Sequence, residues 1–306
     1  MWDAVVIWYG SVRPCLALGN IDGVDMTKKL KRGLAVLLCV VVGVLALLGG
    51  LQLTVVYAEN SWTNWYPTYE KIDIEEIIFK PIKTDEDYDV LYRQTGLTKL
   101  GVDGLVESEQ YAQIIKIQDF YFKQHSVDCH SFFPFTYLET LASGWDGPLC
   151  DLEDGDVIIS ATTHSFSMRV GHAVIVVDGE NKEVVESLCV GMDSMLTSAR
   201  TMTGLANYMV LRPTGIPKQI RKEVAKYVKN EMVGLPYDLA IGVLSKKFPE
   251  KPTKTQCAHL VWYGYKKFGY DIDGNGGLIV KPRDFFQSQY FEVVQIFGFN
   301  PETLWS

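Results

Sequence analysis

Hydrophobic and polar positions divide the chain into four stretches. Residues 33–58, GLAVLLCVVVGVLALLGGLQLTVVYA, carry no charged side chain and show no polar face. As a helix, that run is long enough for a bilayer, which takes about 20 apolar residues. Residues 59–82 are aromatic and irregular, a lead-in expected to pack on the body. Across 83–150 apolar side chains recur at helical spacing, as in Tyr111, Ile114, Ile115, Ile117 and Phe120, so 59–150 is expected to be a mostly helical accessory region. From Asp151 the pattern turns to short β-branched runs bounded by Gly or Asn. These predict strands over 156–160, 172–178, 183–188 and 206–213, and a closing strand over 291–299. Amphipathic helices are predicted over 216–232 and about 255–268, the second ending at Gly269 as a C′ glycine. Neighbouring strands with separate helices predict an α+β fold, with a small antiparallel sheet packed against the second helix. The chain thus divides into 1–58, 59–150 and 151–306.

With 306 residues, 47% of them hydrophobic and 12% aromatic, a sizeable core is available. The net charge of −8 and a single basic block at Lys28, Lys29, Lys31 and Arg32 argue against nucleic acid as a partner. Those cations precede the apolar run. Together they read either as a signal peptide, with n-region TKKLKR and a Val56-Tyr57-Ala58 cleavage site, or as a membrane anchor over 33–58. Both readings leave the cations in the cytoplasm and the rest outside. The charged run begins directly after Met26, which is the expected true start.

Two polar features inside apolar patterns carry chemistry. In the second helix Cys257, Leu260, Val261, Gly264, Tyr265 and Phe268 form one face, so Cys257 lies on a buried stripe in the first turn. A helix N-terminus favours a thiolate and offers N–H groups to an oxyanion. Thr253 or Thr255 would cap it. Helix geometry alone leaves a structural core cysteine as the alternative.

His172 opens a strand whose hairpin turn falls around 179–182. Glu186 has the same parity. A three- or five-residue loop puts both on one face, with Glu186 opposite Val174 and diagonal to His172; a two-residue loop separates them. A paired carboxylate would orient the imidazole, and an unpaired one would be a solvated strand residue. His259, about 200° around the helix from Cys257, points away and is expected to be structural. His164, Ser165 and Ser167 share the loop before His172 and are weaker substrate-binding candidates.

Metal chemistry has little support. His125, Cys129, His130 and Cys150 lack the paired spacing of a zinc site, and DGNGG at 273–277 lacks the glutamate of a calcium loop. No phosphate-binding glycine loop stands out, so no metal and no cofactor is expected. If Cys257 is a nucleophile, at most one disulfide forms among the remaining exported cysteines, with Cys129–Cys150 the candidate by proximity.

The stretches GDVII at 155–159, GHAVIVV at 171–177, VVES at 184–187 and CAHLVWYGYKKFGYDID at 257–273 resemble the circularly permuted branch of the NlpC-type, papain-like cysteine hydrolases, often called YiiX-like. The resemblance covers roughly 151–285, under half of the chain. It implies a permuted papain-like fold with Cys257 as nucleophile, His172 as general base and Glu186 as orienting residue. The segment Gly234-Leu235-Pro236-Tyr237-Asp238 resembles the G-x-P-Y segment of these enzymes, which implies a substrate-binding Tyr237. The expected activity is hydrolysis of an amide in a cell-wall peptide (peptidoglycan), with a lipid-acyl amidase, thioesterase or acyltransferase as the alternative. A non-catalytic wall-binding module is a third reading.

Overall fold

The structure, a computed structural model, describes residues 28–60, 65–133, 136–144, 146–165 and 168–304. It divides into two compact units, Met1–Leu51 and Gln52–Ser306. The expected start at Met26 lies outside the described residues. Helix α1, Lys28–Asn60, contains one stretch, Leu30–Gly50, that is long and apolar enough to cross a membrane. Its mean hydropathy is 2.7 over 21 residues and none of it is buried within the protein.

The larger unit continues with α2 (Glu75–Ile78), α3 (Asp85–Thr95), α4 (Lys99–Glu107) and α5 (Tyr111–Phe122). Local chemistry delimits α3. The Thr84 hydroxyl accepts from the Asp87 N–H while the Asp87 carboxylate accepts from the Thr84 N–H, and Gly96 ends the helix in the left-handed region. Helical structure then stops. Strands β1 (Val127–Phe133) and β2 (Thr136–Leu141) form a hairpin inside the region expected to be mostly helical. Polar and aromatic residues are mixed there, and cross-strand pairing rather than periodicity decides the state.

Strands β3 (Val157–Ser160), β4 (Thr163–Ser165), β5 (Met168–Arg169), β6 (His172–Asp178), β7 (Glu183–Glu186) and β8 (Met195–Ser198) follow. The chain then forms α6 (Arg200–Thr203), β9 (Tyr208–Arg212), α7 (Lys218–Glu231), α8 (Cys257–Lys267), α9 (Pro282–Phe286) and β10 (Glu292–Phe297). Six strands make one antiparallel sheet in the order β10-β9-β3-β6-β7-β8. The short strands β1-β2-β4-β5 make a second antiparallel sheet. The architecture is α+β.

Alternation along β6 builds a core on each side of the larger sheet. Ala173, Ile175 and Val177 pack with Val224 and Val228 of α7 and Leu260 and Val261 of α8. Val174 and Val176 pack with Leu91, Val102 and Ile117 of α3, α4 and α5. A buried ion pair joins the residue before β3 to β9: Arg212 donates from Nε and Nη2 to Asp156, at 3.1 and 2.8 Å. Cys129 is exposed, Cys150 is buried, and no disulfide joins them.

Candidate active site

Cys257 is the first residue of α8, and residues 257–265 are buried on every side of that helix rather than along one stripe. The helix is capped by Gln256, not by Thr253 or Thr255. The Gln256 side-chain oxygen accepts from the Ala258 N–H at 3.1 Å and lies 3.4 Å from Cys257 Sγ, while its amide donates to the Val280 carbonyl at 2.9 Å. One side chain therefore ties the cysteine, the first turn and the 280 loop together. Thr255 is occupied elsewhere, its hydroxyl 2.9 Å from His259 Nδ1. At the other end Gly269 takes φ +91° as a C′ glycine should.

His172 begins β6 opposite Ser160. Gly171 makes this entry possible: it has φ +73°, and a Cβ there would sit 2.4 Å from the Ser160 carbonyl oxygen. Ile175 pairs with Val185, and continuing that register sets Val174 opposite Glu186. Four residues, 179–182, form the turn, with Lys182 at φ +55° and a bulge between Val176 and Asp178. The bulge restores the parity that a four-residue loop would break. His172 Nε2 and Glu186 Oε2 lie 2.9 Å apart, both nearly buried. Burial alone would push the imidazole toward its neutral form. Hydrogen bonding to Cys257 and to Glu186 outweighs it and holds the His172 pKa up at about 10. With Nε2 engaged by Glu186, Nδ1 is the ring nitrogen left for the thiol.

Cys257, 7% exposed, and His172 open onto a cavity of about 590 Å³. Its walls are mostly apolar, with Leu188, Val190, Leu239, Ile279 and Val280 among them. Tyr237 also lines it, and burial together with the nearby Cys257 and Cys189 thiols pushes its hydroxyl pKa well up. Backbone pairing holds this tyrosine in place: Asp193 bridges Pro236, and Tyr237 bridges Thr255 directly before the cysteine helix.

His164 does not reach the cavity. It lies on β4, fully buried, with Nε2 2.9 Å from Glu139 Oε1 and its ring stacked on Tyr137. Strand alternation explains this, since Thr163 and Ser165 line the cavity while His164 faces the other way. Ser167 lies outside the described residues. His259 is buried, donates from Nε2 to the Lys247 carbonyl at 2.8 Å, and burial lowers its pKa to about 4. Among the described residues no three His, Cys, Asp or Glu side chains converge as metal ligands. Gln256 and Gly171 were not singled out from the sequence, although a polar residue before the cysteine and a glycine before the histidine are their visible signals. Arg169 and Lys281, also on the cavity wall, gave no such signal.

No family model and no curated protein matches the chain. Among solved structures it is similar to the crystal structure of the metalloprotein YiiX from Escherichia coli O157:H7, at 17% identity. The match covers 47% of this chain and 97% of that one, with a TM-score of 0.36. A YiiX-like resemblance is thus met in structure as in sequence, and the description as a metalloprotein belongs to YiiX. A superposition this loose leaves the chemistry of the site to its own geometry.

Proposed function

We propose that this chain is a permuted papain-like hydrolase that cleaves an acyl bond through Cys257, His172 and Glu186, on the outer side of a membrane reached by way of α1. The observation that supports it best is the meeting of a helix-terminal thiol with a carboxylate-bound imidazole at one wall of a cavity. In this reading the Cys257 proton already rests on His172 Nδ1, as the raised His172 pKa requires, and the thiolate attacks the carbonyl carbon. The oxyanion is met by first-turn N–H groups, which have no partner inside the helix. The imidazolium then protonates the leaving amine or alkoxide, and a thioester on Cys257 remains. Water, deprotonated by Nδ1, adds to that thioester and expels the Cys257 sulfur. The thiolate–imidazolium pair is restored and a carboxylic acid leaves. Glu186 stabilises the imidazolium throughout.

A wall peptide remains one substrate reading, and the apolar cavity favours the second, an acyl chain on an amide, ester or thioester. The full chain in lipid nanodiscs and its Cys257→Ala variant, incubated separately with peptidoglycan fragments and with acyl amides and esters, test both. Products read by mass spectrometry that are absent in the variant support the hydrolase. A Cys257 that neither cleaves nor reacts with iodoacetamide near pH 6 overturns it in favour of a non-catalytic binding module.

A further inference from the structure

After α1, most of the large exposed apolar side chains among the described residues lie on loops at one end of the larger unit. Two of these loops, 239–245 and 277–281, carry Leu244, 84% exposed, and Leu278, 70% exposed, with exposed Leu239, Val243 and Ile279 beside them. The loops abut. A Cβ at Gly242 would overlap the Leu278 carbonyl oxygen, and Lys247 Nζ donates to the Gly277 carbonyl at 2.5 Å and to Asp273 at 2.6 Å. A third loop, with exposed Val190 and Met192, is pinned next to them by the Tyr237 N–H, which donates to the Met192 carbonyl at 3.3 Å. Apolar side chains gathered in this way mark an interaction surface, whereas single ones scattered over a surface do not.

Cations stand behind this apolar tip. The protein has a net charge of −8, yet residues 239–254 hold four lysines and a single acidic residue, Glu250. Lys247 and Lys254 face Asp273 and Asp238. Lys246 and Lys251 are exposed, as is Lys281 on the neighbouring loop. Exposed leucines flanked by lysines suit the interface of an anionic bilayer, where the apolar groups enter the acyl boundary and the ammonium groups meet phosphates. A bilayer is also close at hand. Leu30–Gly50 is long and apolar enough to cross one, and residues 51–64 are all that separate it from Trp65. Even fully extended, that connection spans roughly 50 Å. With α1 in a membrane, the loops therefore meet lipid at a high effective concentration.

We infer that loops 239–245 and 277–281 form a docking surface for an anionic lipid bilayer, with Leu244 and Leu278 entering the acyl boundary and Lys246 and Lys251 meeting headgroup phosphates. This rests on the reading of α1 as a membrane anchor and not on the chemistry of Cys257. Docking by these loops sets the mouth of the cavity against the bilayer, since Leu239 and Ile279 belong to both.

The test uses the full-length chain in phosphatidylcholine nanodiscs, with and without phosphatidylglycerol. The discs are doped with an ether-linked phosphatidylcholine, which the protein cannot hydrolyse, carrying a diazirine near the top of one alkyl chain. After illumination, mass spectrometry locates the lipid adducts. Adducts on α1 report the anchor; adducts on peptides holding Val243, Leu244 or Leu278 report docking. The internal control is the peptide with Phe79 and Ile82, since Ile82 is as exposed as Leu244 and also has lysines beside it, Lys80 and Lys83. In the anionic discs the loop adducts should exceed the control by about tenfold, the factor that partial burial of one leucine supplies. Leu244→Ser with Leu278→Ser should cut them by about tenfold on the same scale and leave α1 adducts unchanged, with thermal unfolding showing that the fold is kept. Lys246→Glu with Lys251→Glu should abolish the gain from phosphatidylglycerol. Loop labelling equal to the control, indifference to phosphatidylglycerol, or adducts confined to the cavity residue Leu188 overturns the inference. So does an amine cross-link joining Lys246 of two copies in place of lipid adducts, which would give the surface to a second copy of the chain. Labelling of α1 without the loops overturns the docking surface and leaves the anchor standing. Labelling of the loops without α1 supports docking and sinks the anchor.

Discussion

His172 and Glu186 meet through a 2.9 Å hydrogen bond between Nε2 and Oε2 although they stand 14 residues apart, because the β6–β7 hairpin folds one onto the other. The carboxylate is one of the two partners that hold the imidazole protonated up to about pH 10. Glu186→Gln keeps the shape and removes the charge. The falling upper limb of the pH–rate profile should then move to lower pH, and kcat should drop by about 10²-fold or more, the scale of general acid–base catalysis. A Glu186 that served only to pack the hairpin would lower stability without moving that limb, and pH–rate profiles of the two proteins decide between them.

Gly171 sets where His172 enters β6. Gly171→Ala asks a residue with a Cβ to hold φ +73° with that Cβ 2.4 Å from the Ser160 oxygen. The backbone term alone costs about 1–2 kcal/mol. The overlap must then be relieved by shifting the start of the strand. A lower Tm is expected, together with slower alkylation of Cys257 as the imidazole moves away from the thiol. Thermal unfolding and iodoacetamide kinetics on the same samples check both. Unchanged alkylation would mean that His172 does not depend on this glycine for its position.

Much of this arrangement is legible in the chain before folding. The runs that became β3, β6, β7, β9 and β10 are β-branched and bounded by turn residues, and α7 and α8 show helical periodicity, so local pattern and tertiary structure agree there. The parity of His172 and Glu186 follows from the same period of two. What was not legible depends on partners distant in sequence. Strands β1 and β2 read as part of a helical region because their polar residues hide the alternation. His164 read as a loop residue, yet it is a buried strand position because Glu139, 25 residues earlier, accepts its hydrogen bond. The Gln256 cap depends on the Val280 carbonyl, which only the folded 280 loop supplies.

Gln256 links α8 to that loop and touches the thiol, so two substitutions separate its roles. Gln256→Ala removes the cap on Ala258 and the bond to Val280, which should cost about 1 kcal/mol or somewhat more. Gln256→Glu keeps an acceptor for the Ala258 N–H but sets a carboxylate 3.4 Å from where the Cys257 sulfur lies. A negative charge there opposes ionisation of the thiol. The Ala variant should therefore lose mainly stability, and the Glu variant should lose mainly reactivity, with slower alkylation at pH 6. Denaturant melts and alkylation rates distinguish them; equal reactivity in the Glu variant would mean the side chain turns away from the sulfur.

Two of the buried histidines, His259 and His172, should pull stability in opposite directions with pH. Burial lowers the His259 pKa to about 4 from an ordinary 6.5, so between those values the unfolded chain binds a proton that the folded one refuses. Stability is lost as pH falls through that window. His172 is raised to about 10, so its contribution is complete below 6.5 and fades as pH rises toward 10. His259→Gln removes the first dependence only. Its stability deficit relative to wild type should shrink on acidification from pH 7 to 4.5 and stay constant from pH 7 to 9.5. His172→Gln should show the reverse, with a deficit that shrinks from pH 7 to 9.5. Urea unfolding of both variants and wild type at pH 4.5, 7 and 9.5 measures the differences. A His172→Gln deficit that does not change between pH 7 and 9.5 would mean the imidazole is neutral in the folded protein, and would remove the charge that the Glu186 pairing is held to stabilise.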